Sequence, residues 1–296
     1  MRGFLVALFT AWCFFGSFAG LADAQTLGAY KDNLFSYPKI LERNQDGSFL
    51  RIDYRVGRDI DERDKIRGAK VKGFYVSMRG RKGQEDLSLS WNLGRIDYAR
   101  TGQVRGAQWI IVYLHGRGGD RSQGISDYNF GGNFNRLKNL AVRNKGLYLV
   151  PSITDFGAQG ARDVSALIAH YAAQAPRAKI VLACGSMGGQ ICWQYLNGSI
   201  EVPPLSGAIM LATHADNQFL ASSHLSANGR ALPIVFGHGT LDGAFAWQKS
   251  KALFDSIQVA RPDYPVRMRL FNTGKHGTPI RMIDWRQELN WIFANS

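Results

Sequence analysis

The chain has 296 residues, 45% of them apolar, which is ample for one large core. Thirty-six Lys and Arg face 23 Asp and Glu, a net charge of +13, spread as 17 basic against 11 acidic residues over 25–106 and 18 against 11 over 107–296. So even an excess, with no recognisable nucleic-acid module, argues against a nucleic-acid partner and suits an anionic membrane or polysaccharide surface instead.

In chain order, Met1-Arg2 and the apolar run Gly3 to Gly20 precede Ala22-Asp23-Ala24, a small-x-small site. This is the pattern of a cleaved export signal, with cleavage after Ala24 and a mature chain beginning at Gln25. The run is borderline for a spanning anchor, and the cleavage site decides for removal. The expected location is periplasmic or secreted. Residues 25–296 are expected to form one domain.

Residues 48–57 and 70–79 alternate as strands of an antiparallel hairpin, with a charged turn from Arg58 to Arg67 between them. LSLSW, within 86–98, alternates like a further strand. From Trp109 the pattern changes to continuous apolar runs, WIIVYLHG, LYLVPSI, KIVLACG, GAIMLAT and LPIVFGHG, and VRMRLFNT is expected as a last strand. Such runs fit strands buried on both faces of a parallel sheet. Helical segments are expected at 133–144, 161–174, 187–197, 246–259 and 283–294. The alternation points to an α/β fold with a mostly parallel central sheet, an N-terminal antiparallel hairpin and helices on both faces.

Only Cys184 and Cys192 would survive export. They sit at a strand end and in the second turn of the next helix, so their Cα atoms are expected to exceed the bridging limit of about 7 Å. Two small buried thiols are the expectation.

S-x-G occurs twice, at Ser122 and Ser186, and only Ser186 lies between a buried strand and a helix. A serine there is exposed at the sheet's edge above a helix N-terminus, which favours developing negative charge. By itself the segment also fits a serine that merely caps a helix. A nucleophilic serine needs a base, an orienting acid and oxyanion donors, and each has a candidate just past a strand end. The base is His276, in NTGKHGTP. The acid is Asp242, in FGHGTLDGAF, with Asp216 and Asp155 as competitors. The donors are the backbone N–H groups of Met187 and, in LHGRGGD, of Arg117. His214 follows a strand and could line a pocket, whereas His238 supports the acid turn. Substrate contact is expected from the loop 120–135, through Tyr128 and Phe130, and from the loop 214–231.

Together LHGRGG, CGSMGG, GHGTLD and GKHG resemble the α/β-hydrolase superfamily, over about Ala107 to Ser296 and in its chain order Ser186, Asp242, His276. Cys184 departs from G-x-S-x-G, where glycine is usual. The chain looks most like the compact carboxylesterases, lysophospholipases and polyester or feruloyl esterases. The resemblance implies serine hydrolase chemistry through an acyl-enzyme, with no metal or organic cofactor. Its substrate would be a small-molecule or carbohydrate-linked ester. The alternatives are a phospholipase acting on membrane lipid esters and a non-catalytic binding protein of the same fold.

Overall fold

Residues 26–226 and 228–296 are described by a computed structural model; the expected export signal and its cleavage site lie outside them. Helix α1 (Asp32–Phe35) precedes β1 (Ile40–Arg43) and β2 (Phe49–Asp53), and a short pair follows, β3 (Asp64–Ile66) with β4 (Lys70–Val71). Next come β5 (Glu85–Trp91), β6 (Gly94–Gly102), β7 (Trp109–Leu114), α2 (Arg121–Ile125), α3 (Asn133–Arg143), β8 (Gly146–Pro151) and α4 (Ala158–Ala172). The remaining elements are β9 (Lys179–Gly185), α5 (Gly188–Leu196), β10 (Gly207–Leu211), β11 (Ile234–Gly239), α6 (Trp247–Ala260), β12 (Val266–Asn272), α7 (Thr278–Met282) and α8 (Trp285–Ala294).

Ten strands share one sheet in the order β1-β2-β12-β11-β10-β9-β7-β8-β6-β5. Pairing is parallel from β8 across to β2, and antiparallel only at the edges, in β6–β8, β5–β6 and β1–β2. The apolar runs are buried on both faces because alternate residues enter different layers. Ile110, Val112 and Leu114 pack toward Val164, Leu167, Trp193 and Phe254 of α4, α5 and α6. Trp109, Ile111 and Tyr113 pack toward Phe134, Leu137, Leu289 and Ile292 of α3 and α8.

The N-terminal region differs from the expected hairpin. β2 does form within 48–57, but it pairs antiparallel with β1 and parallel with β12. Of 70–79 only Lys70–Val71 is strand, in the separate β3–β4 pair, and Gly73–Tyr75 is a helical turn. Apolar residues fall on both alternating sides of 70–79, so no single face needs burial in a sheet. The segment is tied to its neighbours by polar contacts: Lys31 Nζ donates to the carbonyls of Phe74 and Val76, and Asn135 Nδ2 donates to that of Ser77.

These contacts cover α3, and so the stretch 120–135 is not an open loop. It contains α2 and the start of α3, and Asn133 and Asn135 are wholly buried. Arg136 and Lys138 are buried too, paired with Asp284 and Asp32 and with Asp127 respectively. On α8, Glu288 is buried against Arg269 and also accepts from the Tyr37 hydroxyl. Removing one partner of such a pair strands a charge in the interior, which costs far more than the intact pair contributes. No helix among the described residues is long and apolar enough to cross a membrane.

The cysteines correct a second expectation. Cys184 and Cys192 form a disulfide, with Cα atoms 6.6 Å apart. The sharp turn after β9 folds α5 back along the strand and brings its second turn within reach of the strand end. A loop this short closed by a disulfide contributes about 2.5 kcal/mol in the chain-entropy account. The double variant Cys184→Ala/Cys192→Ala should therefore unfold at clearly lower urea concentration than the parent, with an unchanged m-value. Coincident unfolding curves would contradict this.

Candidate active site

Parallel strands deliver their carboxyl ends to one edge, and four of these ends carry the site. β9 ends at Gly185, and Ser186 follows with φ 51°, a left-handed conformation that costs a non-glycine residue of order 1–3 kcal/mol. Its N–H donates to the carbonyl of Leu211 at 3.0 Å, and its carbonyl accepts from Gly189 N–H at 3.0 Å. These bonds hold the turn. Close packing also demands glycine here. A Cβ on Gly188 would collide with the carbonyls of Leu114 and His115, and one on Gly116 would lie 2.8 Å from Ser186 Cβ.

Three of the expected residues meet above this turn. The Ser186 hydroxyl is 2.9 Å from His276 Nε2, and His276 Nδ1 is 2.9 Å from both oxygens of Asp242. The tautomer follows: Nδ1–H donates to the carboxylate, leaving Nε2 to accept from the hydroxyl. Burial opposes ionisation of Asp242, but the His276 N–H and the amides of Ala244 and Phe245 outweigh it and hold the carboxyl below its usual value. The competing aspartates serve elsewhere. Asp216 caps the turn Asn217–Ala221 and accepts from Asn197, and Asp155 accepts from Gly157 N–H.

The glycine loop after β7 lies against the serine. His115 is fully buried; its Nδ1–H donates to the Gly116 carbonyl at 2.8 Å, and Nε2 accepts from Ile153 N–H at 2.9 Å. Both nitrogens of the neutral ring are thereby used, and the loop is fastened to the end of β8. The backbone N–H groups of Arg117 and Met187 donate to no other group among the described residues, so both remain available as donors.

The residues expected to touch substrate divide. Phe130 lines a cavity of about 710 Å³ together with Gly118 and Gly119, which follow Arg117, and Lys275 and Gly277, which flank His276. Tyr128 does not line it; its ring lies under Lys70 Nζ and its carbonyl accepts from Val71 N–H. His214 does not line it either; its ring and that of His276 both neighbour Phe245, at 6.1 and 5.7 Å. Phe245 was not expected from sequence, although it lies three residues after Asp242 in the same turn. The loop 214–231 is partly occupied by packing, with Phe219 fully buried.

His238 lies behind the acid turn. It is buried and donates from Nε2 to the Thr213 carbonyl at 3.1 Å, while its Nδ1, 3.5 Å from Asp242 Oδ2, has no hydrogen-bond partner among the described residues. Burial pulls His115, His214 and His238 below the ordinary histidine value, against partial opposition from their polar neighbours. The unfolded chain therefore binds protons more tightly at these sites, whose unfolded value is about 6.5. Their contribution to stability is present above that pH and is lost as pH falls through the lower folded values. The melting temperature should accordingly drop between pH 7.5 and pH 5.5, and His238→Gln should show a shallower drop. A pH-independent melting temperature over that range would contradict the assignment.

No protein-family model matches the chain, and no curated protein sequence matches it. Solved structures do. A thermostable esterase matches with TM-score 0.55 and 16% identity, over 73% of this chain and 64% of its own. A protein of unknown function from Agrobacterium tumefaciens, described as an α/β hydrolase, matches with TM-score 0.54 and 15% identity, over 70% and 93%. An esterase from Pyrococcus furiosus matches with TM-score 0.51 and 12% identity, over 71% and 91%. Likeness at such identity is one of fold, and it agrees with the sheet order and the site-bearing edge described above: the chain has the α/β-hydrolase fold.

Proposed function

We propose that the protein is a serine hydrolase of carboxylic esters, acting on a small-molecule or carbohydrate-linked ester. The observation that carries this reading is the unbroken hydrogen-bonded series from Ser186 Oγ through His276 to Asp242. His276 takes the hydroxyl proton as Ser186 attacks the ester carbonyl, and Asp242 stabilises the imidazolium that forms. The N–H groups of Arg117 and Met187 receive the oxyanion. Collapse of the tetrahedral intermediate expels the alcohol, which takes the proton from His276. Water, deprotonated by the same histidine, then releases the acid from the acyl-serine and restores the hydroxyl.

Export is part of the proposal. The A-x-A site after the apolar run supports it, as does a disulfide, since such bonds persist mainly in oxidising compartments.

Hydrolysis of p-nitrophenyl acetate and butyrate tests the chemistry. Ser186→Ala should lower kcat by about 10⁴-fold or more, and Asp242→Asn by about 10³- to 10⁴-fold with little change in KM. Turnover by Ser186→Ala equal to that of the parent would refute the reading.

A further inference from the structure

The cavity of about 710 Å³ lined by residues flanking Arg117 and His276 is of small-molecule size and is built by several separate segments. Tyr54 and Ile60 come from the stretch after β2, and Arg67 from the turn between β3 and β4. Phe130 comes from the approach to α3, Lys275 from the histidine loop and Arg281 from α7. Its position ties it to the chemistry. Gly118 and Gly119 follow the Arg117 amide directly, Lys275 and Gly277 bracket His276, and Phe130 packs 3.4 Å from where a Cβ on Gly277 would lie.

Three cations and one acid, Asp120, line this space. Most of that charge is already answered. Arg67 pairs with Asp61 at 2.9 Å, and Arg281 is held by Asp64 and by the carbonyl of Asp59. Asp120 accepts from Ser122 N–H at 2.7 Å as the cap of α2. Lys275 is different: its exposed ammonium has neither an ion-pair nor a hydrogen-bond partner among the described residues. Behind the wall lies another cation without a carboxylate. Arg63 is buried between the rings of Phe35 and Tyr75, 4.5 Å from each, and donates to the Gly131 carbonyl. Burial and the neighbouring Arg281 pull it down to about 10, so it stays charged at neutral pH. The cavity thus joins an apolar body (Tyr54, Ile60 and Phe130) to one uncompensated cation next to the catalytic base.

We propose that the cavity receives a negatively charged part of the ester substrate, its anion bound by Lys275 and its apolar portion by Tyr54, Ile60 and Phe130. The proposal rests on the ester-hydrolase reading and adds the substrate's charge to it. An ammonium here attracts the anion and contributes chiefly to binding, so its loss should appear in KM more than in kcat.

Two matched pairs of esters locate the charge. The first is p-nitrophenyl hemiglutarate against its neutral methyl ester, with the anion on the acyl side. The second is 4-acetoxybenzoate against its methyl ester, with the anion on the alcohol side. In one of these pairs Lys275→Gln should lower the charged-to-neutral ratio of kcat/KM about five- to tenfold. Lys275→Arg should retain most of it, and 0.5 M NaCl should shrink it, because exposed charge interactions are screened over a few ångströms at that ionic strength. Arg67→Gln, which removes an already paired cation, should have the smaller effect. If both ratios stay within twofold on going to Lys275→Gln while Ser186-dependent hydrolysis of the neutral esters persists, the anion proposal falls and the esterase reading stands. If no ester is turned over faster than by Ser186→Ala, both fall.

Discussion

Ser186 turns the chain from β9 into α5 in a left-handed conformation that no sequence preference favours, and the site is organised around keeping that turn closed. Hydrogen bonds to Leu211 and Gly189 fix its backbone. Glycines at 116 and 188 let the neighbouring loop and helix approach without side chains between them. The disulfide joins the two arms of the turn, Cys184 before it and Cys192 after it. The strain is local and its supports come from β9, β10, α5 and the loop after β7, so the hydroxyl is held toward His276.

The same edge explains why Asp242 and His276 need little else to find each other. β11 and β12 are parallel neighbours in register from Ile234 with Val266 to Gly239 with Phe271. Their following turns therefore leave the sheet side by side, carrying Asp242 and His276 to within hydrogen-bond distance. His115 and His238 lie behind them as neutral, buried rings, one fastening the glycine loop and the other bonded to the Thr213 carbonyl. The N-terminal region completes the surroundings. It extends the sheet through β2, buries the charged side chains of α3, and supplies the wall carrying Tyr54, Ile60 and Arg67.

Much of the fold was legible because β7, β8 and β10 are apolar throughout and β9 and β11 nearly so, a pattern that two-sided burial explains. Ser186, Asp242 and His276 were legible because each closely follows a strand of that sheet. What escaped the sequence depends on distant pairing. β2 joins β12 across more than 200 residues, and no local alternation in 48–57 announces that partner. Nothing local in the sequence marks Arg136, Lys138 and Arg269 for burial, and only the fold reveals the carboxylates that allow it. The disulfide was missed because the separation of Cys184 and Cys192 was judged along the chain, whereas the elbow folds the helix back toward the strand. Phe245 and Lys275 carried no signal beyond adjacency to Asp242 and His276.

The central claim is that Ser186 is an activated nucleophile. A fluorophosphonate probe reports this directly, since it is captured only by a serine whose proton is removed by a neighbouring base. Peptide mass spectrometry after labelling should find one stoichiometric adduct, on the peptide containing Ser186, and His276→Ala should abolish it. Absence of an adduct on the folded protein, or an adduct on a different serine, would contradict the account.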